Sequence, residues 1–258
     1  MRGFVATVSA EWLKLRSYRS TFVALGIFVL LGAGFGALTG WSTQHQWATL
    51  QPIQRATFDP LFTSLSGIAL GPIALGGLSV GFITNEFSSG YLQGTLLAVP
   101  NRTRLILSKI VVLALPVAVL AVITSYGAVF AFNATIELAH ERVVLSHHGV
   151  TRSLVLAGLY MALAITFAFG MGLLLRKTAL AVSLFIGIYL AVPIVVQLFP
   201  WHWLHVAQPY MIANLGASMI SDTTPTGGLN VWVATGLLGL YTGALIVLGV
   251  ARLQRTSL

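Results

Sequence analysis

Three stretches of the 258-residue chain carry residue types able to do chemistry. "GLSVG", Gly77 to Gly81, matches the G-x-S-x-G pattern of an acyl-attacking serine. That chemistry needs a strand-to-helix turn and a histidine within hydrogen-bond reach. Ser79 instead falls inside an apolar run, and all six histidines fall in expected loops. "IELAHERVVLSHH" places Glu137, His140 and Glu141 near one helical face, followed by His147 and His148. Such donors suit zinc, but none of their spacings is diagnostic, and no metal is expected. The third stretch, "GFITNEFSSGYLQGTLLAVPNRTRLILSKI" from Gly81 to Ile110, sets Glu86, Arg102, Arg104 and Lys109 between long apolar runs.

The elements around these residues follow from composition. Of all residues 57% are hydrophobic and only 8% charged, and the mean hydropathy is +0.89. A soluble surface needs far more charge than this. A span across about 30 Å of hydrocarbon takes roughly 20 apolar residues. Six such runs are present: Ser20–Trp41, Pro60–Thr84, Leu105–Phe132, Leu154–Leu175, Ala179–Phe199 and Val231–Ala251. Only Arg176, Lys177 and Thr178 separate the fourth from the fifth. A basic residue at mid-membrane costs about 2.5–3.5 kcal/mol, so this pair marks a tight turn at an interface. The chain reads as an all-α integral membrane protein.

Charge orients it. With the N-terminus in the cytoplasm, inner segments hold Arg2, Lys14, Arg16, Arg19, Arg102, Arg104, Lys109, Arg176, Lys177, Arg252 and Arg255. Outer segments hold Arg55, Arg142 and Arg152. This bias places both termini and the Gly81–Ile110 interruption inside. The net charge of +8 then serves topology and anionic lipid, not nucleic acid.

Residues 1–19 lack the layout of a cleavable signal. Phe4, Val5, Val8, Trp12 and Leu15 recur at helical spacing, as in an amphipathic helix lying in the inner interface. Gly67/Gly71, Gly77/Gly81, Gly32/Gly36/Gly40 and Gly239/Gly243 are small-residue pairs suited to helix contact. Pro72, Pro116 and Pro193 predict kinks within spans. Ser64, Ser66, Thr124, Ser125 and Tyr126 are candidates to line a substrate path, or else to bond within their own helices. Residues 200–230 are too apolar for a plain loop and too broken by Pro and Gly for a span.

No G-x-x-x-x-G-K-[ST] occurs, so no nucleotide is expected on this chain. Central charges of the kind that couple carriers to protons or sodium are also missing from the spans. Without cysteine, disulfides and thiolate metal sites drop out.

"NEFSSGYLQGTLLAVPNRTRLILSK" resembles the cytoplasmic segment of ABC-2-type permeases, the membrane subunits of ATP-binding-cassette exporters. Glu86, Gly90, Gly94, Thr95, Pro100, Arg102 and Lys109 follow the family's order of acid, glycine turn, short helix, proline corner and basic start of the third span. "SAEWLKLRSYRST" is similar to the family's opening. The resemblance implies one domain over 1–258, with an interfacial helix at 1–19, a cytoplasmic coupling helix within 84–104, and outer re-entrant helices at 200–230. It also implies two copies of a separate ABC ATPase that hold ATP and Mg. A second permease copy or homologous permease would complete the assembly in the cell membrane. A hydrophobic or amphiphilic substrate would move outward. Phe87, Tyr91 and Thr95 are expected on one face of the coupling helix, and Leu92, Leu96 and Val99 on another. Glu86 is expected to pair with Arg104, Lys109 or Arg19. An intramembrane enzyme at Ser79 or at the His/Glu loop, and a structural or assembly protein, are the alternatives.

Overall fold

The structure is a computed structural model that describes residues 2–91, 94, 101–138, 141–147, 149–199, 201–221 and 228–255. Within them the chain is helical, without a strand. Lipid offers no partner to a backbone amide, so a spanning segment must satisfy its own. Six helical stretches are long and apolar enough to cross a membrane: Arg19–Thr49, Ser66–Ser88, Arg102–Thr135, Val150–Leu175, Thr178–Leu198 and Val231–Arg255. They correspond to the six expected runs.

Helix α1 (Arg2–Ser17) ends at an extended Tyr18, and α2 (Arg19–Gln46) begins the first span. Short α3 (Pro52–Ala56), α4 (Pro60–Ser64) and α5 (Ser66–Ala69) lead into α6 (Gly71–Ser88). The third and fourth spans are α7 (Arg102–Thr135) and α8 (Val150–Leu175). The fifth joins α9 (Thr178–Ile186), a π-helical turn at Gly187–Ala191, and α10 (Val192–Leu198). Short α11 (His202–Ala207) and α12 (Ile212–Ile220) then precede the last span, α13 (Val231–Arg255).

Helix α8 is the centre of the bundle, with 78% of its apolar window buried against 22% for α2 and α13. It packs against α6, α7 and α13. The α2–α7 contact rests on Gly32, Gly36 and Gly40. A Cβ at these positions would collide with Thr124, the Ala128 carbonyl, and Thr135 with the Phe132 carbonyl, respectively. Between apolar helices in lipid, such close approach supplies the dispersion energy that a hydrophobic drive cannot. The other pairs diverge. Gly67 and Gly71 are packed tight, on α2 and on Phe28 with Met161, whereas Gly77, Gly239 and Gly243 meet nothing within 4 Å and Gly81 only the Asn85 side chain at 3.9 Å. The expected packing role of those last four does not hold within the chain.

The expected single run Pro60–Thr84 is broken instead into α4, α5 and α6, and extends to Ser88. Pro72 has no N–H to give the Ile68 carbonyl. Ile73 N and Ala74 N both reach Leu70 O, at 3.1 and 3.5 Å. The Ala69 carbonyl accepts instead from the Tyr189 hydroxyl, which also meets the Tyr160 hydroxyl. Tyr189 belongs to the π-helical turn, so an irregularity in one span satisfies a break in another. Pro193 sits in the first turn of α10, where proline is tolerated, and α7 continues through Pro116.

Candidate functional site

Helix α1 turns an unexpected face to the bundle. Thr7, Glu11 and Leu15, four residues apart, are its buried positions, while Val5, Trp12 and Leu13 are exposed. The apolar stripe read from the sequence is thus split: Leu15 is buried and Val8 packs on the core, while Val5 and Trp12 are exposed. The inward face delivers an acid, Glu11, to the start of α7.

There it meets a cluster of four charges. Lys109 Nζ, fully buried, lies 2.6 Å from Glu11 Oε2 and 2.6 Å from Glu86 Oε1. Lys14 Nζ lies 3.0 Å from Glu11 Oε1 and 3.1 Å from Glu86 Oε1. Two carboxylates and two ammoniums therefore bind α1, the end of α6 and the start of α7 into one unit. The Lys109 ammonium also sits 4.9 Å from the Phe82 ring centre, over its face. Burial alone would lower the Lys14 pKa. The hydrogen bond that Lys14 donates to Glu11 and the charges of Glu86 and Glu11 outweigh that and hold it above the usual lysine value. Glu86 Oε2 is buried without a hydrogen-bond partner among the described residues.

The cluster sits at the root of the segment that joins the second and third spans. Helix α6 stops at Ser88, and Gly90 takes φ 73°, a left-handed conformation that glycine adopts without Cβ strain. Tyr91 and Gly94 are helical and exposed. Residues 92, 93 and 95–100, Thr95 and Pro100 among them, lie outside the described residues. Helix α7 restarts at Arg102, where the Asn101 side chain accepts from Arg104 N at 3.0 Å as an N-cap. Phe87 and Tyr91 do not share one continuous helix face as expected, because the Gly90 turn separates them. Phe87 lies 5.2 Å beneath the Arg176 guanidinium. Tyr91 is 74% exposed. An open pocket of about 550 Å³ is lined by Lys14, Tyr18, Glu86, Ser89 and Tyr91 beside it.

Arg102 donates to the Leu253 carbonyl and so ties α7 to the end of α13. Arg252 donates to the Leu174 carbonyl of α8, and Arg176 to the Arg252 carbonyl at 3.3 Å. Guanidiniums near helix C-termini meet the negative end of the macrodipole. Arg176 is the turn between α8 and α9, in the left-handed region at φ 59°. Burial, and then the charges of Arg252 and Arg102, push its pKa down.

The remaining candidates are placed as follows. Ser79 is fully buried and donates to the Ile165 carbonyl of α8, which is a helix-packing bond. Ser64, Thr124 and Ser125 donate to carbonyls in their own turns, at 2.7, 2.8 and 2.7 Å. Ser66 Oγ is buried without a partner among the described residues, and Tyr126 packs half-buried on the core. Among the described residues no three His, Cys, Asp or Glu side chains converge on a metal-sized site. His140 and His148 lie outside them.

Sequence reasoning placed Lys109 among the partners of Glu86 and missed Glu11 and Lys14. A signal was present. Glu11 is one of only six acids in the chain, three residues before Lys14. An acid so rare, on a helix at the membrane surface, marks a partner elsewhere.

The family model described as ABC-2 family transporter protein matches residues 7–196. The match includes α1 from Thr7 onward, the four-charge cluster and the first four spans complete. No curated protein matches the chain.

Proposed function

Because the chain belongs to the ABC-2 transporter family, we propose that it is the membrane-spanning subunit of an ABC exporter. It moves a hydrophobic or amphiphilic substrate outward: a drug, an antibiotic, a peptide or a lipid. Two copies of an ABC ATPase hydrolyse ATP with Mg on its behalf, and a second permease copy or a homologous permease completes the path. The chain itself binds no nucleotide. Both termini and the segment between α6 and α7 lie in the cytoplasm of a cell whose plasma membrane the six spans cross.

One observation carries this reading: the Glu11–Lys109–Glu86–Lys14 cluster, built on the buried Lys109. Burying Glu11, Glu86 and Lys109 beside the partly exposed Lys14 is costly, and their attraction offsets the cost only when geometry is good. What such a cluster supplies is a rigid joint. A push on the segment 91–101 would reach α1, α6 and α7 together instead of bending one helix. Tyr91, Gly94, Thr95 and Pro100 belong to that segment, Arg102 follows it at the start of α7, and Glu86, Phe87 and Gly90 belong to its hinge.

The test is to express the chain with the P-loop ATPase encoded nearest to it and purify by a tag on this chain. A stoichiometric ATPase, whose turnover in liposomes changes with Glu86→Gln, is the expected result. ATP turnover by the isolated chain, or transport in liposomes lacking any ATPase, would refute it.

A further inference from the structure

A pocket of about 170 Å³ lies between α1 and the spans, and its walls are almost wholly apolar. Helix α1 gives it Trp12, Leu15 and Arg16, and the first turns of α2 give Thr21, Phe22 and Leu25. Leu78 of α6, with Leu113, Pro116 and Val117 of α7, completes the lining. Its one hydroxyl is already engaged, because Thr21 Oγ1 donates to the Leu15 carbonyl at 3.1 Å. An apolar cavity of about 150 Å³ takes a guest the size of benzene. A stretch of acyl chain fits this space, and a polar guest finds no partner in it apart from Arg16.

Helix α7 sets the depth of the pocket. Leu113, Pro116 and Val117 follow Lys109 by four, seven and eight residues, which is one to two turns, or about 6–12 Å, toward the middle of the span. The pocket therefore runs inward from the level of the charge cluster. Trp12 and Arg16 stand one turn apart on α1, and both are exposed. A tryptophan suits headgroup depth, and an arginine lays its stem on apolar surface while its guanidinium stays outside. Arg16 has no hydrogen bond and no ion pair among the described residues. No acid is left for it: Glu11 and Glu86, the acids at this end among the described residues, are both engaged by Lys14 and Lys109.

We propose that this pocket holds an acyl chain of one anionic phospholipid, with the lipid's phosphate on Arg16. A soluble anion would pair with Arg16 and leave the apolar walls unfilled. A neutral apolar molecule would fill the walls and leave the guanidinium without a counter-charge. An anionic phospholipid does both, because a guanidinium fork matches phosphate oxygens in pairs and basic residues beside spans draw anionic headgroups. Seated there, the lipid ties the α1–α2 corner to α6 and α7 directly beside the four-charge cluster. The site needs a membrane but no transported substrate, so it stands apart from the exporter reading.

The test uses the full chain in detergent, titrated in native mass spectrometry with phosphatidylglycerol, phosphatidylcholine and inorganic phosphate. Phosphatidylglycerol should bind about tenfold more tightly than either of the others, the worth of one charge-assisted contact. Arg16→Gln should erase that preference, whereas Arg255→Gln, at an exposed arginine on the end of α13, should preserve it. Equal losses from the two substitutions would reduce the preference to net charge and overturn the site. Leu25→Trp, which fills the pocket, should weaken both lipids, with its unfolding midpoint reporting whether the fold survives. The wild-type chain gives an independent reading: phosphatidylglycerol with a photoreactive acyl chain should crosslink within residues 12–25 and 113–117. Crosslinks confined to other helices overturn the proposal, as does equal binding of the two lipids by the wild-type chain. Inorganic phosphate binding as tightly as phosphatidylglycerol overturns it too. Disulfide pairing of Trp12→Cys between two chains would give the pocket to a second copy instead.

Discussion

Lys109 Nζ lies 2.6 Å from Glu86 Oε1 across 23 residues of sequence, with Lys109 fully buried and Glu86 nearly so. The pair closes the base of the loop between the second and third spans. Glu11 adds a second carboxylate to the same ammonium, at 2.6 Å. The angle between α6 and α7 is thus held by a charge that has nowhere else to go.

Removing that ammonium should be severe. Lys109→Met leaves Glu11 and Glu86 together, with only the half-exposed Lys14 to offset them. A broken buried pair costs about 3–5 kcal/mol. Lys14→Met should cost about 0–1 kcal/mol, as for a partly solvated ion pair. Thermal unfolding of the purified protein compares the two, and equal losses would remove the central role given to Lys109.

Gly36→Ala should loosen the α2–α7 contact, because the new Cβ meets the Ala128 backbone rather than a side chain able to move. Overpacking of this kind costs about 1–3 kcal/mol. Gly239→Ala faces open space and should be neutral or slightly stabilising, by up to about 1 kcal/mol of helix propensity. Folded yield and midpoint of unfolding are the readouts.

Ser79→Ala removes one buried hydrogen bond between α6 and α8. A loss of about 1 kcal/mol follows, with transport retained. A well-folded Ser79→Ala protein without activity would restore the intramembrane hydrolase reading.

Tyr91 and Phe87 should separate in their effects. Tyr91→Asp puts a charge on an exposed position beyond the Gly90 turn and should weaken capture of the ATPase while leaving the fold intact. Phe87→Ala removes the ring beneath Arg176 and should lower stability by about 0.5–1 kcal/mol. Pull-down and unfolding, measured on both variants, distinguish the two. Loss of ATPase capture by Phe87→Ala alone would place the docking surface on the wrong side of the turn.

Sidedness rests on charge and is open to labelling. Asn101 and Ser146 are both exposed and lie beyond opposite ends of α7. Ser146→Cys should react with an impermeant maleimide in intact cells, and Asn101→Cys only after the membrane is opened. The reverse pattern would withdraw the cytoplasmic segment from any ATPase.

What was legible in the sequence is what depends on local composition. Six apolar runs became six spanning helices, and Arg176–Lys177 became the turn between two of them, because lipid accepts helices of a set length and rejects charge along them. Lys109 was readable as a partner of Glu86 because so few charges compete. Facing was not legible. In a soluble helix the polar side declares which way is out, but here lipid-facing and protein-facing sides are both apolar. Only the packed structure decides that Gly36 touches α7 while Gly239 faces open space, that Ser79 bonds across to α8, and that α1 buries Glu11 rather than Trp12. The meeting of Arg102, Arg176 and Arg252 is of the same kind. Their places in sequence are 74 and 76 residues apart, and they come together because the start of α7, the turn after α8 and the end of α13 are tied by their hydrogen bonds.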